Sequence, residues 1–544
     1  LRGGIAFGSF DAFRASANAN GKVGAFGYNA DYAYFSIDGF RDHSSARNQS
    51  FNSKLDYAIN DANKLTLVTT VISRPDSQDP LGITAAQFAA NPEQTDAAAT
   101  TFNTRKSLQQ EQAGLIYDLK VTDAQSVRLL GYYGRRKVTQ FLSITTGAQV
   151  AATSAGGVVD LDREFAGGEA RWAWQSTLAG KPFSLVAGAT YDRQNEHRRG
   201  YNDFVGAGAS QVLGVQGVLR RDENNIGDDT AEYVQATWEF AEQWSAMAGL
   251  RHSEEQFDSQ DHYIVTGNGD DSGTVSYSAT LPVAGVMFKP QPWVHLFASY
   301  GQGIQTPIGA ELAYQPSGAA GLNFALKAAR NNNEELGAKL HIGGAVAEAV
   351  LFQALTNNEI VIFANTGGRA TYQNAGRTKR QGVELSLNYA LDNLWRLQFA
   401  YTYLDATYSD AFTTCTATPC TVAQKVPVAA DNRLPGIPKN NAYVAVRFGH
   451  EDGWFVSLNA QYLSDVFAND PNTAAALADS YTLVGLNGGY ALELGAIKLN
   501  AFLRVNNIFD KDYVGSVIVN DSNGRFFEPG PPRSVLGGIN IAWK

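Results

Sequence analysis

Cysteine, methionine and histidine are scarce in this chain, at two, two and seven among 544 residues. The histidines, His43, His197, His252, His262, His295, His341 and His450, show no metal-ligand spacing. Clustered positive charge is also missing and the net charge is −10, which argues against a nucleic-acid partner. No run of about 18 apolar residues occurs, so a membrane-spanning helix is excluded. Nor does a Pro/Gly/Ser-rich hinge or a charge run divide the chain, which therefore reads as one architecture repeated over 1–544. The two cysteines, Cys415 and Cys420, bracket the polar stretch "CTATPC". A close pair in such a loop reads as an oxidised staple and implies an oxidising compartment; the alternative is two free thiols.

What the chain does contain is 53 glycines, 24 tyrosines, 29 phenylalanines and eight tryptophans, together with a period of two. In "IKLNAFLRVN" the residues Ile497, Leu499, Ala501, Leu503 and Val505 alternate with Lys498, Asn500, Phe502, Arg504 and Asn506. Successive side chains of a strand point to opposite faces, so one face is oily and the other is largely polar. The same pattern runs through "EELGAKLHIGG", "GVELSLNYAL" and "WFVSLNAQYL". A soluble sandwich alternates too, so connection lengths must decide.

About 22 candidate strands are joined alternately by tight turns and long polar loops. Turns fall near 19–24, 60–63, 121–125, 179–182, 241–243, 289–292, 343–344, 391–393, 451–453 and 493–495, while the loops include 75–106, 144–162, 202–219, 310–330 and 411–436. An even number of antiparallel strands, short turns at one end and long loops at the other describe an all-β transmembrane barrel of the bacterial outer membrane. All eight tryptophans, at 172, 174, 238, 244, 293, 395, 454 and 543, lie near a short turn or the last residues. Indole rings prefer the boundary between hydrocarbon and headgroups, so this clustering predicts an aromatic girdle at the short-turn end. Leu499 and its partners then face lipid, and Asn500 and Arg504 face the lumen. Lumen charges such as Lys339, Glu384, Arg396 and Arg504 are expected to bond a plug or one another, because an unpaired charge there is costly.

Several stretches, in order, carry a resemblance: "FASYGQGIQTP", "NNNEELGAKL", "NAGRTKRQGVELSLNY", "LPGIPKNN", "VNNIFDKDYVGSV" and "PGPPRSVLGGINIAW". They are similar to the barrel of TonB-dependent outer-membrane receptors, and the similarity covers essentially the whole chain. Within that family the loops "GFRDHS", "RRGYNDF", "LRRDENN", "DHYIVTGNGDDSG", "TGGRATYQNAGRTKRQG" and "YVGSVIVNDSNGRFFEP" most resemble those of receptors for pyrroloquinoline quinone, as does the late cysteine pair. The stretches "VLGVQGV" and 411–433 depart from that branch. The chain opens on "LRGGIAFGSF", already a strand, without an initiator methionine. The resemblance thus implies a barrel whose plug and signal peptide lie outside this sequence. It also implies energy from the TonB–ExbB–ExbD complex through that outside segment, a surround of lipopolysaccharide, and outer loops on which a phage or bacteriocin docks. Pyrroloquinoline quinone is then a transported ligand, and no cofactor is implied.

Such a ligand is a flat tricarboxylate, and guanidinium forks bind carboxylates bidentately. The candidate contacts are Arg380, Arg198, Arg199, Tyr201, Arg220, Arg221, Arg369, Arg377 and Arg525. Strand parity counted up from Glu384 turns Arg380 inward and Lys379 outward, and the count from Thr190 turns Arg198 inward. Each arginine has a blander alternative, a loop acid such as Asp222 or Glu223 or a lipopolysaccharide phosphate. A ferric siderophore or ferric citrate is the second ligand class, whereas the motifs of haem receptors are missing. Two readings of other classes stand beside the receptor: a plugless diffusion channel, and a rim enzyme built on His262 near Asp258 and Asp261. "GQGIQ" lacks the spacing of a nucleotide loop, so no enzyme is expected from it.

Overall fold

The computed structural model describes residues 1–450 and 452–543; Glu451, in the expected turn at 451–453, lies outside them. Among the described residues, 22 antiparallel strands hydrogen-bond in a ring. The ring closes where Arg2–Gly8 pairs on one side with Ala12–Val23 and on the other with Ser534–Trp543. Closure removes every open edge, the condition for carrying strands through hydrocarbon, where no water satisfies a bare backbone group. Alternation holds along the walls: Leu503, Ile539 and Ile541 are left bare toward lipid, while Asn500 lies opposite Asn540 on the other face.

Both chain ends lie at the short-turn end, where the Trp543 amide donates to the Leu1 carbonyl at 2.7 Å. The tryptophans gather there as expected. Trp172 stacks near Trp174 at 6.2 Å, Trp244 on Phe288 at 4.3 Å and Trp395 on Phe448 at 4.4 Å, forming a girdle of indole and phenyl rings. Several turns sit a residue or two from their expected places, as at Gly24, where a positive φ of 59° suits glycine.

Strand length is the feature that periodicity did not disclose. Strands Val158–Leu178, Lys181–Tyr201 and Leu219–Ala241 run for 21, 21 and 23 residues. A tilted membrane strand needs about 9–11, so half of each stands above the bilayer. On the opposite wall, Asn440–Gly449, Trp454–Leu463 and Ser534–Trp543 have 10 each and barely cross it.

The packed apolar clusters lie among the outer loops. Ala375, Tyr408, Val428 and Leu434 form one, Ile83, Ala478, Val514 and Phe527 a second, and Phe257, Leu312, Leu322 and Leu326 a third. The loops therefore fold onto one another instead of waving in solvent. At the centre is a hairpin, Ile360–Thr366 with Arg369–Asn374, which reaches across the mouth. It meets the loop at 142–157 through Arg369 on the Gly156 carbonyl, and the loop at 507–533 through Asn520 Nδ2 on the Ile362 carbonyl at 2.9 Å. Cys415 and Cys420 are disulfide-bonded at the tip of another outer hairpin.

Candidate functional site

Parity and height together build the site. On strand Lys181–Tyr201 the residues Glu196, Arg198 and Gly200 point inward and are buried, and Arg221, Glu223 and Asn225 do the same on strand Leu219–Ala241. These positions belong to the tall wall, above the membrane and beneath the folded loops. A cavity of about 410 Å³ opens there, within the range of small-molecule sites. Lys106, Arg136, Arg163 and Arg198 give it four cationic side chains, and Glu196 is its one carboxylate. Glu196 is already taken: Arg163 donates to Glu196 Oε2 through Nε at 3.0 Å and again through Nη2. Val138, Leu142, Val159 and Leu161 supply an apolar wall, and Tyr314 and Tyr372 add rings.

Tyr314, from the loop at 306–328, is the focus of the charge. The guanidinium carbons of Arg198, Arg221 and Arg369 stand 5.3, 5.4 and 4.8 Å from its ring centre. Arg198 Nη2 also donates to the phenol oxygen at 3.2 Å. Burial pushes that phenol up, but Arg198, Arg369 and Arg221 outweigh it and bring the pKa down to about 8. Arg221 is further held by Glu223 at 2.7 Å and by the Ala313 carbonyl at 2.8 Å.

The nine expected contacts separate into groups. Arg198, Arg221 and Arg369 converge on Tyr314. Arg199 faces the other side of its strand and bonds Asp160 at 3.0 Å, with Tyr201 next along that face. Arg220 is tied to the Ala151 carbonyl. Arg525 lies buried between Asp96, at 3.3 Å, and Ser143. Arg377 grips Asp410 at 2.7 Å on the exposed surface. Arg380, which strand parity turned inward as a candidate contact, forms a two-pronged pair with Glu359 at 2.9 and 3.0 Å and does not line the cavity.

Sequence reasoning missed Tyr314, Lys106, Arg136, Arg163 and Glu196. The last two had a usable signal, since Arg163 lies opposite Glu196 in register and Glu196 shares its parity with Arg198. Lumen charge behaves as expected where Lys339 bonds Glu348 at 3.1 Å across neighbouring strands. The rim acids and histidine do not assemble: His262 Nε2 meets Asn224 at 3.2 Å, and Asp258 is engaged by Gln256 and Thr274.

Residues 5–508 match the family described as TonB dependent receptor-like, beta-barrel. The chain belongs to that family. This TonB-dependent receptor barrel is an outer-membrane protein, and its curated relatives are named as receptors. The metal-pseudopaline receptor CntO of Pseudomonas aeruginosa is 26% identical over 331 residues, 59% of this chain and 42% of that protein. The match thus spans less than half of the relative's length. The ferric citrate transporter FecA in its unliganded form superposes with a TM-score of 0.79 at 20% identity, over 99% of this chain and 78% of that one. The siderophore receptor PiuA from Acinetobacter baumannii gives 0.80 at 16%, over 99% and 81%. At these identities the superpositions establish the barrel fold alone.

Proposed function

We propose that the protein takes up a scarce, anionic small molecule across the outer membrane, with energy from the TonB–ExbB–ExbD complex delivered through a segment outside this sequence. The cavity carries the reading: four cationic side chains, one paired carboxylate and an apolar wall, all sheltered by loops. Partly desolvated guanidinium groups favour carboxylates, which they grip at two points. Pyrroloquinoline quinone suits both halves, its carboxylates against the arginines and its flat rings against the apolar wall. The resemblance of the outer-loop stretches to those of its receptors favours it. A ferric siderophore or ferric citrate is the second reading, favoured by the sequence relatives named for metal-pseudopaline and siderophores. The loops tied across the mouth speak for a gated receptor over an open diffusion channel.

Calorimetry on the full-length receptor, with pyrroloquinoline quinone, ferric citrate and a ferric catecholate as titrants, tests the reading. A polycarboxylate should bind, and Arg198→Ala should weaken it about tenfold or more, as when a charge loses a desolvated partner. Binding of the catecholate alone would overturn the carboxylate reading.

A further inference from the structure

Three guanidinium groups from three separate elements meet around a single tyrosine. Arg198 comes from strand Lys181–Tyr201, Arg221 from strand Leu219–Ala241 and Arg369 from the central hairpin, while Tyr314 belongs to a fourth element, the loop at 306–328. Glu223 is the carboxylate in direct contact: 2.7 Å from Arg221 and 3.9 Å from Arg198. With a neutral phenol, the group of five carries two net positive charges. Two of its buried donors, Arg221 Nη2 and Arg369 Nε, have no acceptor among the described residues. Buried charged donors without acceptors are costly, so this arrangement is built to receive an anion.

We propose that Tyr314 is an internal stand-in for the anionic group of the cargo: in the cargo-free receptor its phenol fills the place that a carboxylate takes on Arg198, Arg221 and Arg369. The inference rests on the carboxylate-cargo reading above. Tyr314 is then a specificity-determining residue, since a ligand must outcompete the phenol to reach the cluster. Ligands with a carboxylate or comparable oxyanion do so, and neutral ligands do not. The geometry also links arrival to movement. Arg198 of the wall donates to the phenol and Arg369 of the hairpin stands over its ring, so evicting Tyr314 removes side-chain contacts that join the loop at 306–328 to the wall and to the hairpin.

The phenol's acidity reports this exchange. The three arginines lower its pKa, and the opposing charges near them are Glu223, Glu196 beside Arg198, and Asp261 and Asp271, which line a small pocket together with Tyr314 and Arg221. Above about pH 8 the phenol is largely ionised within the cluster, so when pushed out it regains its ordinary, higher pKa and takes up a proton.

The test is calorimetry on the full-length receptor with pyrroloquinoline quinone and with citrate, near pH 8.5 in two buffers of different ionisation enthalpy. Wild-type binding should be accompanied by net proton uptake. Tyr314→Phe keeps the ring and removes the competing hydroxyl; it should bind about three- to tenfold tighter, the worth of one hydrogen bond, and should lose the proton uptake. Unchanged or weaker binding by Tyr314→Phe overturns the inference, and so does wild-type binding without proton uptake, a measurement that needs no variant to fold. If the wild type binds neither probe, the carboxylate reading itself fails.

Discussion

Asp203 shows how a single buried carboxyl sets a local pH dependence. Its side chain accepts from Gln149 Nε2 at 2.6 Å and its amide donates to Gln149 Oε1 at 2.9 Å, joining the loops at 202–218 and 142–157. Burial raises its pKa from 3.8 to about 6, so the protonated form suits the fold better. A raised carboxyl stabilises most below its unfolded pKa, and that support fades as pH rises through the folded value. Hydrogen exchange in these two loops, corrected for intrinsic rates, should be slower near pH 5 than near pH 8, and Asp203→Asn should remove the difference. Arg380 illustrates the reverse lesson. Strand parity was enough to place Arg198 inward, because a period of two survives wherever the ladder is unbroken. It could not reveal that Glu359, 21 residues before Arg380, folds back onto its guanidinium. Arg380→Ala should cost about 1–3 kcal/mol by stranding that half-buried acid. Adding Glu359→Ala should restore most of the loss in a double-mutant cycle of thermal unfolding.

Among the elements, turns and strands were readable because each is decided locally, by glycine, asparagine and aspartate at the turn and by alternation along the strand. Tyr314 was not readable: "AELAYQPSG" has no periodicity, and its importance comes from three arginines 93 to 116 residues away or, for Arg369, 55 beyond. Long loops announce their existence but not what they cover. The disulfide hairpin lies between these cases, since the spacing of its cysteines raised the bond while its packing was hidden. Pro419 at its tip lies beside Gly318, in the same loop as Tyr314, close enough that a Cβ there would come within 3.0 Å of the proline ring. Closing so few residues should contribute about 2 kcal/mol. The Cys415→Ser/Cys420→Ser variant should therefore insert into outer membranes as a heat-modifiable barrel, with faster exchange confined to the loops around Gly318. Free-thiol labelling of the untreated wild type would count against the bond.

The assembled barrel is governed by knots that join several loops at once. Tyr408 donates to Asp470 at 2.7 Å, Asn520 donates to the other oxygen of Asp470 at 2.7 Å, and Asn520 reaches on to the central hairpin. All three side chains are buried. Asn520→Ala leaves the Asp470 oxygen and the Ile362 carbonyl short of a donor, a cost of about 1–3 kcal/mol for each buried group. In planar bilayers the variant barrel should show larger and noisier conductance than the parent; equal traces would mean that the loops do not limit passage. The seven-residue seam between Arg2–Gly8 and the final strand has a bearing on biogenesis. Its two sides lie far apart in sequence, Leu1 meeting Trp543 across 542 residues, so the ring cannot shut until both strands are in place. Until Ser534–Trp543 arrives, the growing sheet carries two bare edges, each a template for a wrong neighbour. Removing Ser534–Trp543 would leave both edges open, and such a variant should sediment as aggregates instead of inserting as a smaller pore.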